Sequence, residues 1–249
     1  MVKILLNGCL GKMGQAVEAC VNSREDVMII AGVDIAEGDR TYPVHTCFVD
    51  VAEDADVILD FSNPLVLDDI LSFAVEHKKP VIICTTGFSE AQVRKIKDTA
   101  TVIPVFYSGN MSLGINMLIE LSKMAAKVLS NSFDIEIIEK HHNQKIDAPS
   151  GTAIMIADAI AAEKENAQYV YDRHAYRKKR EKSEIGIHSV RGGTIVGEHE
   201  VIFAGHDEVV SLKHTAQSKG VFASGAVNAA VFIKDKPAGL YDMSDLLNA

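Results

Sequence analysis

Val2-Lys3-Ile4-Leu5-Leu6-Asn7-Gly8-Cys9-Leu10-Gly11-Lys12-Met13-Gly14 opens on an apolar run, then sets three glycines at G-x-x-G-x-x-G spacing where a helical pattern begins. A short apolar run closed by glycine reads as a buried strand. Glycines allow a tight turn and a close backbone approach to a ligand. The helix that follows leaves its first N–H groups unpaired, a ready seat for an anion. Strand, glycine turn and helix start together make a dinucleotide-binding arrangement, although the commonest fingerprint spaces its first two glycines more tightly. A second apolar run, Val27–Val33, ends at Asp34, 20 residues beyond Gly14. An acidic side chain there accepts hydrogen bonds from ribose hydroxyls. Its charge would repel a 2′-phosphate, and Ile35 brings no compensating cation, so NADH is slightly favoured over NADPH. Lys12 and Arg40 are the nearby cations that keep NADPH open.

Outward from this stretch the pattern repeats. Val57–Asp60, Val81–Cys84 and Val102–Phe106 read as further short strands. Helical segments lie between them at 64–77 and 89–100, opened by Pro64 and Ser89. Such alternation predicts βαβ units and a Rossmann-type, doubly wound parallel sheet. Two later loops, Cys84-Thr85-Thr86-Gly87 and Ser108-Gly109-Asn110-Met111-Ser112, fall at strand ends, where open α/β sheets collect ligands.

Beyond Asn110 the character changes. Leu113–Leu129 reads as one long helix and Phe133–Glu139 as an alternating strand. Thr152–Glu163 reads as a second helix. Ile185–Val190, Thr194–Ala204 and Glu208–Thr215 read as antiparallel strands. That succession predicts an α+β domain with an open mixed sheet. Val221–Ile233 is again helical. The expected division is a dinucleotide-binding domain at 1–112 and 219–249, with a substrate-binding and oligomerisation domain at 113–218.

Composition excludes several classes. A net charge of −9 argues against general nucleic-acid binding. The basic run Arg177-Lys178-Lys179-Arg180-Glu181-Lys182 reads as a solvated loop. No apolar stretch is long enough to span a bilayer, and the N-terminus lacks signal-peptide features, so a soluble, cytoplasmic protein is expected. Cys9, Cys20, Cys47 and Cys84 lack metal-type spacing and read as reduced structural thiols; no metal is expected.

The second informative stretch is Glu139-Lys140-His141-His142-Asn143-Gln144-Lys145-Ile146-Asp147-Ala148-Pro149-Ser150-Gly151-Thr152-Ala153. It sets two histidines and a lysine ahead of a Pro-Ser-Gly-Thr turn that opens a helix. Histidine exchanges protons near neutral pH, and lysine carries a positive charge. Proton donor, cation and helix N-terminus form a site for a small anionic substrate. His141 and Lys145 are the proton-handling candidates, and which of them delivers the proton stays open. Arg191 fits either the site or a subunit interface, and Asp147 either orients Lys145 or belongs to the helix-cap region.

These motifs, with Asp60-Phe61-Ser62, Asn110-Met111-Ser112-Leu113-Gly114-Ile115-Asn116 and Val190-Arg191-Gly192-Gly193, resemble the dihydrodipicolinate reductase family over nearly the whole chain and in the right order. The resemblance implies NAD(P)H-dependent reduction of 4-hydroxy-tetrahydrodipicolinate, a small cyclic dicarboxylate, in the diaminopimelate route to lysine. It also implies a cytoplasmic homotetramer joined through the substrate domain. By similarity His141 and Lys145 are the catalytic pair, while His142, Ser150, Gly151 and Thr152 bind substrate. The cofactor residues implied are Gly8, Cys9, Leu10, Gly11, Lys12, Met13, Asp34, Cys84, Thr85, Thr86, Ser108, Gly109, Asn110 and Met111. The chain departs from the family pattern at Cys84, where glycine is usual, at Lys140, where a small residue is common, and at Ile35, where some members carry arginine. The competing readings are another two-domain NAD(P)-dependent oxidoreductase, a non-catalytic nucleotide sensor, and a dehydratase without net hydride transfer.

Overall fold

The computed structural model describes residues 1–174 and 177–249. Its elements in chain order are β1 Val2–Asn7, α1 Lys12–Asn22, β2 Val27–Val33, β3 Val44–His45, β4 Val57–Asp60, α2 Leu67–Glu76, β5 Val81–Ile83, α3 Glu90–Thr99, β6 Pro104–Tyr107 and α4 Leu113–Leu129. There follow β7 Asp134–His141, α5 Gly151–Ala161, β8 Gln168–Val170, β9 Glu184–Arg191, β10 Gly197–Ala204, β11 Val209–Ala216, α6 Gly220–Ile233, β12 Gly239–Tyr241 and α7 Met243–Leu247. The chain divides into two units, Met1–Leu113 with Lys219–Ala249, and Gly114–Ser218.

The first unit is built on a seven-stranded sheet of order β12-β6-β5-β4-β1-β2-β3, with every neighbouring pair parallel. Its strands are continuous apolar runs because both faces are covered. One face packs Ile4, Leu6, Val57 and Ile82 against α1 and α6, whose Val17, Ala226 and Ala230 are buried. The other packs Leu5, Ile58 and Val81 against Ile70 of α2 and Ile96 of α3. α3 starts on a capping box in which Ser89 and Gln92 satisfy each other's backbone donors. The short strands β3 and β12 extend the sheet edges; too few residues carry them for periodicity to reveal them.

The second unit holds a five-stranded mixed sheet, order β11-β10-β7-β9-β8. β10 pairs antiparallel with β11 and with β7, whereas β9 runs parallel to β7 and β8. This corrects the expectation of three consecutive antiparallel strands. β9 and β10 are not neighbours, because β7 inserts between them. The chain from β7 returns through α5, and such a crossover delivers a parallel strand. Alternate residues of β7 and β10, Ile135, Ile137, Val201 and Phe203, face α4 and α5 in a single core. Each fully buried side chain of this kind contributes roughly 1.5–3 kcal/mol.

The basic run also departs from a uniformly solvated loop. Arg180 reaches Asp134 at 3.1 Å and Glu136 at 2.9 Å, and donates to the carbonyls of Ile135, Glu181 and Glu184. A guanidinium has five N–H donors and can serve all of these acceptors at once, so the sequence neighbours of Arg180 say little about its role.

Candidate active site

Two groups of residues carry chemistry, one in each unit. In the first, β1 ends at Asn7 and the chain turns at Gly8, whose φ is +80°. A Cβ on Gly8 would lie 2.5 Å from the Phe61 carbonyl oxygen, and one on Gly14 would lie 2.4 Å from that of Gly8. No side chain fits at either position, so the turn stays open beside the start of α1. Gly11 caps that helix without a side-chain hydrogen bond, which leaves its first N–H groups for an anion.

Asp34 accepts hydrogen bonds from the Leu10 and Ile35 N–H groups, both at 2.8 Å. It therefore ties the glycine turn to the end of β2, and each carboxylate oxygen keeps a lone pair for a ribose hydroxyl. A cleft of about 570 Å³ beside it is lined by Gly8, Asp34, Ile35, Phe48, Phe73 and His77, among others. A second cleft, about 390 Å³, is lined by Met13, Cys84, Thr85, Thr86 and the 108–111 loop, with Phe61 and Phe222. In that loop Ser108 Oγ donates to the Asn110 carbonyl, and Asn110 Oδ1 accepts from the Ser112 N–H.

The side chains of Cys9 and Cys84 are buried. Burial pushes the Cys9 thiol up to about 11 and the Cys84 thiol well above its usual range. Lys12 is exposed, and Arg40 Nε lies 3.3 Å from a Glu18 carboxylate oxygen. Sequence reading assigned no role to the polar layer beneath the clefts. There Asp60 is fully buried and accepts from Asn7 Nδ2 at 2.8 Å and from the Ser62 N–H and hydroxyl. Burial, only partly offset by these donors, pushes the Asp60 carboxyl up.

In the second unit the site grows from the ends of three adjacent strands. Register sets His199 of β10 opposite Glu139 of β7, and Arg191 of β9 opposite His141. Glu139 is completely buried. Its carboxylate takes a bidentate pair from Arg191, both bonds 2.7 Å, and lies 2.6 Å from His141 Nδ1. It also accepts from the Ser150 N–H at 3.1 Å. Burial alone would push this carboxyl up; hydrogen bonds from Arg191, His141 and Ser189 prevail and bring it to about 2. An ionised Glu139 makes Nδ1 of His141 the N–H donor, which leaves Nε2 as the proton-exchanging atom. Burial lowers the His141 pKa, with Lys145 and Arg191 adding to the effect, and this outweighs the pull of Glu139.

Lys145 Nζ is 2.9 Å from Asp147, whose carboxyl is lowered chiefly by that hydrogen bond. Lys145 is held in a turn by its N–H bond to the His142 carbonyl. Ser150 caps α5 by accepting from the Ala153 N–H at 3.1 Å. A Cβ on Gly151 would meet nothing within 4 Å, so the first turn of α5 opens outward there. The structure thus gathers His141, Lys145, Ser150 and Gly151 around Glu139, with His142 and Thr152 adjacent in the chain. Arg191 belongs to this cluster, and Asp147 is the partner of Lys145 while Ser150 takes the cap.

Glu139 and His199 are not among the residues that the sequence singles out. The signal was parity: Glu139 continues the buried face of Ile135 and Ile137, and His199 that of Val201 and Phe203. A polar residue on the apolar parity of a strand needs a specific partner. Among the described residues no cluster of His, Cys, Asp or Glu could hold a metal ion, and no helix is long and apolar enough to cross a membrane.

Comparison with known proteins draws both units together. Residues 2–111 match the family model "Dihydrodipicolinate reductase, N-terminus", and residues 114–247 match "Dihydrodipicolinate reductase, C-terminus". The 4-hydroxy-tetrahydrodipicolinate reductase of Clostridium novyi is 47% identical over 100% of this chain and 99% of its own length. That of Caldanaerobacter subterraneus is 49% identical, covering 99% and 98%. The dipicolinate-bound dihydrodipicolinate reductase of Paenisporosarcina sp. TG-14 superimposes with a TM-score of 0.82 at 25% identity, covering 97% of each chain.

Proposed function

The chain belongs to the dihydrodipicolinate reductase family, and from that membership we infer that it reduces 4-hydroxy-tetrahydrodipicolinate to tetrahydrodipicolinate with NAD(P)H, a step of diaminopimelate and lysine biosynthesis. The observation that carries this reading onto its residues is the convergence of His141, Lys145 and the α5 N-terminus around the buried Glu139–Arg191 pair.

The first unit has the features to hold the cofactor. The glycine turn, closed to any side chain, would carry the pyrophosphate through Gly8, Cys9, Leu10, Gly11, Lys12 and Met13. Asp34 would take the adenosine ribose. Cys84, Thr85, Thr86, Ser108, Gly109, Asn110 and Met111 would receive the nicotinamide in the smaller cleft. When bound, the reduced nicotinamide supplies a hydride. Three features favour NADH slightly: the Asp34 charge, the absence of a cation at position 35, and the pairing of Arg40 with Glu18.

The second unit would bind the dicarboxylate. One carboxylate sits at the α5 N-terminus, on Ser150, Gly151 and Thr152; Lys145 neutralises charge, and His142 adds a contact. The substrate hydroxyl leaves as water before or during reduction, and hydride addition to the conjugated imine so formed leaves an enamine-like nitrogen species that takes up one proton. His141, oriented by Glu139, or Lys145 delivers it. The His141–Glu139 pair uses the same logic as a carboxylate-oriented imidazole in hydrolases: the acid fixes the tautomer and stabilises the imidazolium.

Adding freshly generated 4-hydroxy-tetrahydrodipicolinate to the protein with NADH should bleach the NADH absorbance; no substrate-dependent loss would defeat the reading. Parallel initial rates should give a modestly higher kcat/KM with NADH, and a clear preference for NADPH would overturn the role given to Asp34 and Ile35.

The assembly proposed is a cytoplasmic homotetramer joined through the second unit. All four cysteines are free, which suits a reducing compartment. Met117, Leu121, Met124 and Val128 form an exposed stripe along α4 at helical spacing, the kind of surface that a partner covers. Light scattering should report four times the 27.0 kDa chain mass. A monomer at working concentration would exclude this assembly.

A further inference from the structure

His199 lies outside every role assigned so far. It is 4% exposed, stands opposite Glu139 in the β7–β10 ladder, and meets the His141 ring edge-on with centroids 5.2 Å apart. Its Nε2 lies 3.0 Å from Ser150 Oγ. Its Nδ1 is buried and has no hydrogen-bond partner among the described residues.

We propose that His199 is a positioning residue whose Nε2–H donates to Ser150 Oγ, so that the serine's own proton is left to donate to the substrate carboxylate. A serine hydroxyl has one proton and two lone pairs. One lone pair of Ser150 accepts from the Ala153 N–H as the helix cap. If Ser150 also donated to His199, the imidazole proton would sit on Nδ1, a buried donor with no acceptor. Buried donors without acceptors are rarer and costlier than under-used acceptors. The opposite tautomer leaves only an idle Nδ1 lone pair. Both lone pairs of Ser150 Oγ are then filled, and its O–H has one use left: a hydrogen bond to an anion at the α5 N-terminus. Burial, reinforced by the nearby His141, pushes the His199 pKa down to about 4, so the ring stays neutral and keeps this single proton through the working pH range.

The inference rests on the reading of Ser150 as part of the carboxylate cradle, and binding can test it without turnover. Titration calorimetry with pyridine-2,6-dicarboxylate, a planar dicarboxylate, serves as the probe. Ser150→Ala should weaken binding about 10- to 100-fold, the range for losing a hydrogen bond to a charged group. His199→Leu keeps the serine proton but no longer fixes its direction, so it should weaken binding by less, about 3- to 10-fold. His199→Gln, which keeps a side-chain N–H donor, should stay within about twofold of wild type. The double variant Ser150→Ala/His199→Leu should be no worse than Ser150→Ala alone, because His199 acts only through that hydroxyl. In steady state the loss should appear in KM for the dicarboxylate, with KM for NADH unchanged. Multiplying losses in the double variant, or a His199→Gln variant as weak as His199→Leu, would overturn the proposal. If wild type binds the probe in this pattern yet consumes no NADH, the reductase reading fails while the role of His199 stands.

Discussion

Replacing Lys145 by alanine should lower kcat by about 10²- to 10⁴-fold, the range for removing a positioned proton donor, while the protein stays folded. The side chain is 22% exposed, and its ion pair with Asp147, which is 53% exposed, lies at the surface. Little packing is lost with it, so the far-ultraviolet circular dichroism and the unfolding midpoint should hardly move. What is lost is the cation beside the α5 N-terminus and a proton source. Lys145→Arg separates these two roles. Arginine keeps the charge but does not give up its proton at working pH. If Lys145 only clamps a carboxylate, arginine should restore both KM and kcat; if it delivers the proton, arginine should restore KM alone and His141 becomes secondary. Unchanged steady-state kinetics in the alanine variant would remove Lys145 from the mechanism altogether.

Arg191→Leu should produce the largest loss of stability. It strips the bidentate partner from a completely buried carboxylate, a change that costs about 3–5 kcal/mol when an ion is left uncompensated. The wild-type pair has a pH signature. Glu139 has a folded pKa of about 2 against an ordinary 4.5. A depressed carboxyl contributes stability that is present above the unfolded value and is lost as pH falls toward the folded one. The difference corresponds to about 3 kcal/mol, present above pH ~4.5 and lost on the way down to pH ~2. Urea unfolding at pH 7 and at pH 3 should show about two-thirds of this fall in wild type. In Arg191→Leu burial dominates Glu139, so stability should no longer fall with acid through that window. Adding Glu139→Gln should return part of the lost stability, because a neutral amide is cheaper to bury than an unpaired carboxylate. An unchanged midpoint for Arg191→Leu would mean that the pair does not hold the three strands together.

The strands that frame the two clefts were legible because their signals are local. β1, β2 and β4 occupy the residues that periodicity and turn chemistry marked. The His-His-x-x-Lys stretch was legible as a proton-and-charge cluster because its members lie within five residues of one another. The basic run and the order of the last strands were not. Arg180 finds acceptors on residues up to 46 positions away, and β9 finds its neighbour in β7 through the α5 crossover.

By itself, then, the sequence determined the two-part α/β and α+β organisation, the glycine turn with its acidic partner, and the stretch that we propose handles charge and protons. Each of these is written in residues close together along the chain, where propensity and periodicity act. Only the tertiary structure decided which residues stand behind that stretch. Arg191 is 52 residues from Glu139, and His199 is 49 from Ser150. What unites them is strand register, with β7 lying between β9 and β10. A shift of one residue would turn Glu139 and His199 to the opposite face of the sheet. Register is selected by burying the apolar parity of the whole sheet at once, a condition that no single segment contains.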